Sequence, residues 1–231
     1  MKRLAIFVEG FTEALFVEKL IEEIAGKNKV LIDHKEVRGG TTTRRTMRSI
    51  RASKPNGQNY YILLLDCGGD TLVKSRIQEE HENLTKAGYL RLVGVRDVRP
   101  AFTHADIPKL EKTLPLYIKT KLIPVIFILA IMEIEAWFLA EGTHFPKIEP
   151  AITTATIQAN LGFNPDKDNM ELRLSPADDL NACYAIGGKA YEKHQADVTV
   201  NILDYAVIYT ELRNKIKYLD KLISVIDEFL A

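Results

Sequence analysis

The chain has 231 residues, 46% of them apolar, enough to bury the core of one domain or of one domain with an appendage. Its 31 basic and 31 acidic side chains balance to zero net charge, which excludes a histone-like or basic-arm binder and leaves any nucleic-acid partner to a local patch. Two distant cysteines, Cys67 and Cys183, exclude a disulfide framework and a CxxC metal site, and the five histidines lack the paired spacing of a zinc site.

The N-terminal MKRLAIFVEG meets Glu9 before any small-residue cleavage site, and the longest later apolar run, residues 123–132, is too short to cross a bilayer. The expectation is therefore a cytoplasmic chain with no secretion signal, no transmembrane helix and no membrane partner.

In chain order, short apolar runs alternate with stretches of helical spacing, the pattern of βαβ units. Residues 4–8 (LAIFV) form the first predicted strand. Ala14, Val17, Ile21 and Ile24 then fall on one helical stripe, with Thr12 as a candidate N-cap. Residues 30–37 read as a second strand, and 41–51 as a basic helix or ordered loop opened by Gly39 and Gly40. Residues 60–65 (YYILLL) are uninterruptedly apolar, as in a strand covered on both faces. After the turn DCGGD comes a helix through Val73, Ile77 and Leu84, then a strand over 90–95, a helix over 107–120 and a strand over 125–130. From 142 to 176 the chain is rich in Thr, Asn, Pro and Asp. Helical patterns dominate from 178 onward, with residues 201–230 divided near Lys215. The expected architecture is α/β: a mostly parallel sheet domain flanked by helices over 1–142, with a mostly helical C-terminal region, 143–231, packed on it.

Open parallel sheets bind ligands outside the carboxyl ends of their strands. The acids gather there: Glu9 after the first strand, Asp66 after the third, Asp97 after the fourth, and Glu133 and Glu135 after the fifth. If the first and third strands are neighbours, Glu9, Asp66 and Asp70 converge on one rim. Convergent carboxylates repel one another, and a hard divalent cation relieves that repulsion while activating water and clamping phosphate. Each acid also has a plainer reading. Glu13 suits the first turn of a helix, Asp66 and Asp70 suit a turn, and Asp97 between Arg96 and Arg99 suits a surface ion pair.

If 41–51 is helical, Arg44, Arg48 and Arg51 share a face able to grip phosphates, and Arg38 reaches the same rim. A solvated charge run is the plainer alternative. No P-loop and no GxGxxG fingerprint occurs. Trp137 and Phe138 read as packing between sheet and C-terminal helices, Tyr184, Tyr191, Tyr205, Tyr209 and Tyr218 as helix packing, and Cys67 as a small buried filler.

The segments IFVEGFTE and ILLLDCGGD resemble the Toprim fold, the metal-binding catalytic domain shared by primases, topoisomerases, small ribonucleases and overcoming-lysogenization-defect (OLD) nucleases. The VEG-x-TE form is most similar to OLD-like and small stand-alone prokaryotic Toprim proteins, some linked to phage defence, and the resemblance spans residues 2–137. It implies a Toprim-like, Rossmann-like sheet and a cofactor of Mg²⁺ or Mn²⁺. It also implies that Glu9 acts as metal ligand or general acid/base, Glu13 as the extra acid of the OLD-like subgroup, and Asp66 as the first aspartate of a DxD pair. The second DxD position is Gly68, so Asp70 is the next candidate ligand. Glu133 and Glu135 in MEIEAWF resemble a late acidic motif of some stand-alone relatives. The implied function is a metal-dependent phosphodiester hydrolase acting on DNA or RNA, with a protein partner such as an ATPase subunit. Two alternatives stand beside it: a non-catalytic Toprim scaffold that needs a partner, which Gly68 favours, and a nucleotide-binding α/β protein without clustered acids.

Overall fold

A computed structural model describes residues 1–26, 29–40, 42–69 and 71–231. Six strands form one sheet in the order β3-β2-β4-β1-β5-β6. They are β1 (Lys2–Val8), β2 (Val30–Arg38), β3 (Thr46–Arg51), β4 (Tyr60–Asp66), β5 (Arg91–Asp97) and β6 (Val125–Ala130). All neighbours are parallel except β2 and β3. This is an α/β architecture of the Rossmann-like kind.

The central position of β1 follows from its sequence. Leu4, Ala5, Ile6, Phe7 and Val8 are all fully buried, as a strand needs when both faces are covered. β1 runs beside β4 residue for residue, from Lys2 opposite Tyr60 to Val8 opposite Asp66. Past the strand ends Cys67 N–H donates to Val8 O (2.9 Å) and Gly69 N–H to Glu9 O (2.9 Å), so the two following turns are tied together.

The first helix, α1 (Phe11–Ala25), is capped by Gly10 rather than Thr12: Glu13 at its third position accepts from Gly10 N–H at 3.0 Å, which fixes its carboxylate at the strand–helix junction. α2 (Leu72–Lys86) crosses from β4 to β5. The helix expected over 107–120 ends early, as α3 (Ile107–Thr113): Leu114 N–H still donates to Leu110 O, but Pro115 has no N–H to continue the ladder.

Of the segment 41–51, expected as a basic helix or ordered loop, Thr41 lies outside the described residues, Gly40 N–H donates to Thr43 O, and residues 46–51 are the edge strand β3, antiparallel to β2. Its β-branched and polar residues carry no buried helical stripe, and all six are exposed, so pairing with β2 is what orders it. Arg48 pairs opposite Glu36 and Arg51 opposite His34, two residues apart on β2, because β3 is bulged between them; these two arginines therefore share a face, but Arg44 lies in the preceding loop and the three-arginine face is lost.

Beyond the sheet, the chain forms α4 (Glu135–Ala140), α5 (Phe145–Ile148), α6 (Thr154–Leu161), α7 (Pro176–Ala185), α8 (Ala196–Ile202), α9 (Tyr205–Thr210) and α10 (Lys217–Leu230), with short 3-10 turns between them. The break expected near Lys215 falls between α9 and α10. Phe16 of α1 joins the two regions: its ring lies 5.8 Å from Trp137, 5.4 Å from Phe138 and 6.0 Å from Tyr205. α10 covers the outer edge of β6, where Lys221 Nζ donates to Phe127 O at 3.0 Å. No helix among the described residues is long and apolar enough to cross a membrane.

Candidate active site

The carboxyl ends of β1, β4 and β5 lie side by side, and a cleft of about 590 Å³ opens beyond them. Glu9, Glu13, Glu36, Arg38, Gly68, Asp97 and Lys193 line it. Five chain segments distant in sequence therefore meet at one mouth, and the acids among them divide into two groups with different surroundings.

The first group is at the β4 end. Asp66 is 3% exposed, and both its oxygens are held by the fork of Arg38: Nη1 donates to Oδ1 at 2.9 Å and Nη2 to Oδ2 at 3.1 Å. Gly68 N–H adds a third bond to Oδ1 at 2.9 Å. Arg38 also pairs with Glu36 at 2.6 Å, and Asp66 leads its causes of a raised guanidinium pKa. Gly68 has φ of 79°, and a Cβ there would lie 2.7 Å from both Arg38 Nη1 and Val37 O. The place where a second DxD side chain would begin is thus filled by Arg38. Asp70 lies outside the described residues.

The second group surrounds Glu13. Glu13 is 6% exposed, and burial first, then the neighbouring Glu135, push its carboxyl from the ordinary 4.5 up to about 7, against stabilising backbone N–H groups and Lys193. Asp97 is pushed well up by burial and by Glu13, Glu135 and Glu9. It is not the surface ion pair that its flanking arginines suggest: it is 5% exposed, and Oδ1 accepts from Ile134 N–H at 3.0 Å. Glu135 is fully buried and raised by its burial, with Lys193 and the Tyr191 hydroxyl (2.8 Å) opposing the rise. Glu133 accepts from Ala177 N–H at 2.9 Å.

Two cations serve this group, Arg99 at 3.9 Å from Glu133 and Lys193. Lys193 Nζ lies 3.3 Å from Glu133 and 3.6 Å from Glu135. Its burial favours the neutral amine, yet Glu135, Glu133, Asp97 and Glu13 together outweigh that and raise its pKa. Glu9, between the two groups, lies 3.7 Å from the buried Arg96 Nε. The turn that returns Glu133 and Glu135 toward the cleft passes through Met132, whose left-handed φ of 62° costs about 1 kcal/mol in a residue with a side chain.

The expected phosphate grip is only partly assembled. Arg38 lines the cleft, and Arg48 lies 4.0 Å from Glu36 on its wall. Arg44 sits in the exposed loop before β3. Arg51 lies further along β3 from the rim and is bound by Glu18 and, at 2.8 Å, by Glu22, both on α1. Lys193 and Tyr191 were not legible as site residues, since KAYEKHQ carries no motif and reaches the cleft only through the packing of the C-terminal helices.

The donor chemistry fits a hard divalent cation: buried, mutually repelling carboxylates that offer only oxygen. Among the described residues no three His, Cys, Asp or Glu side chains form a ready-made cation cage.

Fold and cleft together define an α/β protein with an acidic site at the carboxyl rim of a mostly parallel sheet. No protein-family model matches the chain, and no curated protein matches it in sequence. A crystal structure of a hypothetical protein from Pyrococcus horikoshii OT3 is similar over 100% of both chains, with 11% identity and a TM-score of 0.48.

Proposed function

We propose that the protein is a Mg²⁺- or Mn²⁺-dependent phosphodiester hydrolase of Toprim type acting on DNA or RNA. The observation that carries this reading is the meeting of Glu9, Glu13 and Asp97 in one cleft whose wall is Arg38, with Asp66 on the adjacent strand end.

Glu9 and Asp66 are the residues that would hold the cation, with Asp70 as a further candidate and Asp97 close by. When bound, the cation supplies charge stabilisation on phosphoryl oxygens and acidification of water. The chain's own groups do the rest. Glu13, poised near neutrality, exchanges a proton with water or with the leaving oxygen, since a general acid or base works best when its pKa is close to the working pH. Arg38, Arg48 and Arg44 orient the nucleic-acid backbone, with Arg38 offering a planar fork matched to phosphate. Lys193 offsets the negative charge of Glu133 and Glu135 beside the cleft. A role in phage defence and an ATPase partner belong to the same reading.

Incubation of the purified protein with labelled DNA and RNA, with Mg²⁺ or Mn²⁺ and with chelator, tests it. Metal-dependent cleavage that disappears in Glu9→Gln and Asp66→Asn is expected. Cleavage that survives both substitutions removes this site.

One observation favours a second reading, a non-catalytic Toprim scaffold: both oxygens of Asp66 are already engaged by Arg38. On that reading nucleic acid is bound and never cut, with or without a partner protein.

A further inference from the structure

Building on the proposed hydrolase, we infer that Arg38 is an exchange latch: it holds Asp66 in the free protein and leaves it for a substrate phosphate, so that phosphate and divalent cation bind cooperatively.

Three features of the β4 end support this. First, the Arg38–Asp66 pair is bidentate, and a bidentate fork fits a phosphate as well as a carboxylate. Second, the two partners differ in exposure. Asp66 is buried and fixed by Gly68 N–H, whereas the Arg38 side chain is 43% exposed and ends a strand followed by Gly39 and Gly40. Arg38 is the member able to move. Third, the glycine at 68 leaves Arg38 nothing to displace, because the guanidinium itself fills the space where a side chain would begin.

The coupling follows from the energetics of a buried charge. Removing Arg38 from Asp66 leaves a carboxylate that keeps only its Gly68 N–H bond and has lost its counter-ion, a costly state. A divalent cation entering at Asp66 relieves that cost, and a phosphate accepting Arg38 relieves the matching cost on the guanidinium. Each ligand therefore lowers the cost of admitting the other, and the effect is reciprocal by linkage. The latch also keeps the acidic rim neutralised when no phosphate is present, which limits binding of the cation alone.

The test is Mn²⁺ titration followed by electron paramagnetic resonance, with wild type, Arg38→Met, Arg38→Lys and Asp66→Asn. Each is measured alone, with inorganic phosphate, and with a single-stranded phosphorothioate oligonucleotide whose own Mn²⁺ binding is subtracted. In wild type the oligonucleotide is expected to tighten Mn²⁺ binding about tenfold, and Mn²⁺ to tighten oligonucleotide binding by the same factor. Tightening by inorganic phosphate as well assigns the exchange to a lone phosphate group, and tightening by the oligonucleotide alone assigns it to the polymer backbone. Arg38→Met is expected to bind Mn²⁺ about tenfold more tightly than wild type without oligonucleotide and to lose the coupling. Arg38→Lys, which keeps the charge without the fork, is expected to fall between and serves if the methionine variant does not fold. Mn²⁺ binding that depends on Asp66 but is unchanged in the Arg38 variants overturns the latch and leaves the hydrolase reading standing. Absence of Mn²⁺ binding at Asp66 in every protein and condition overturns both.

Discussion

The two ends of the cleft solve the same electrostatic problem differently. At the β4 end one buried carboxylate, Asp66, is matched by a full guanidinium and a backbone N–H, so its charge is compensated in place. Around Glu13, several carboxylates share the half-exposed ammonium of Lys193 and the more distant Arg99, and Glu13, Asp97 and Glu135 all shift toward the neutral form. Undercompensation shifts a buried carboxylate toward its neutral form, and at Glu13 this reaches about 7, where the group can carry a proton. The contrast divides the work of the proposed reaction: a latched ligand at one end and an acid/base at the other.

Removing the charge at either strand end breaks the comparison most severely. Glu9→Gln and Asp66→Asn are each expected to lower metal-dependent cleavage by about 1,000-fold, measured as initial rates on labelled substrate. The next effect concerns stability and its dependence on pH. Glu13 has a folded pKa above its unfolded one, so wild-type stability falls as pH rises from about 4.5 to about 7, by about 3 kcal/mol for a shift of this size. Glu13→Gln, which can still accept from Gly10 N–H, is therefore expected to be about 3 kcal/mol more stable than wild type at pH 8 and nearly equal at pH 4.5. Urea unfolding across that range checks it, and a flat difference would mean that Glu13 is already compensated.

A smaller effect comes from Gly68. Gly68→Asp rebuilds a DxD sequence, but φ of 79° and the contact with Arg38 make it destabilising, by about 2 kcal/mol in chemical unfolding, without added Mn²⁺ affinity. The smallest concerns Lys193. Its side chain is 49% exposed, so Lys193→Met should cost only about 1 kcal/mol at pH 8. Its sharper signature is a further rise in the pKa of Glu135, followed by carboxyl NMR.

Much of the sheet was legible because its signal is local. An unbroken run such as LAIFV can be buried on both faces only as a central strand, and the acid that ends it must then stand at the rim. The rim positions of Glu9 and Asp66 were legible for the same reason. The misread segment, 46–51, has exposed residues on both faces, so no periodicity distinguishes a basic helix from an edge strand; only pairing with β2 decides it. Asp97 looked like a surface residue because its arginine neighbours in sequence are not its neighbours in space. Arg96 turns toward Glu9, while Arg99 reaches Leu174 O at 3.1 Å. Lys193 and Tyr191 arrive from a region with no strands, through helix packing that sequence spacing does not encode. The clamp of Arg38 on Asp66 depends on the parallel pairing of β2 with β4, which sets Glu36 opposite Asp66 and brings Arg38 to the strand end.

The most direct test of a cation held between two strand ends is anomalous diffraction from a crystal of the protein grown with Mn²⁺ and a phosphorothioate oligonucleotide. The expected result is an anomalous peak within ligand distance of both Glu9 and Asp66, with Arg38 turned away from Asp66 onto a phosphate. An oligonucleotide bound in the cleft with no peak there, and Arg38 still on Asp66, would contradict the account.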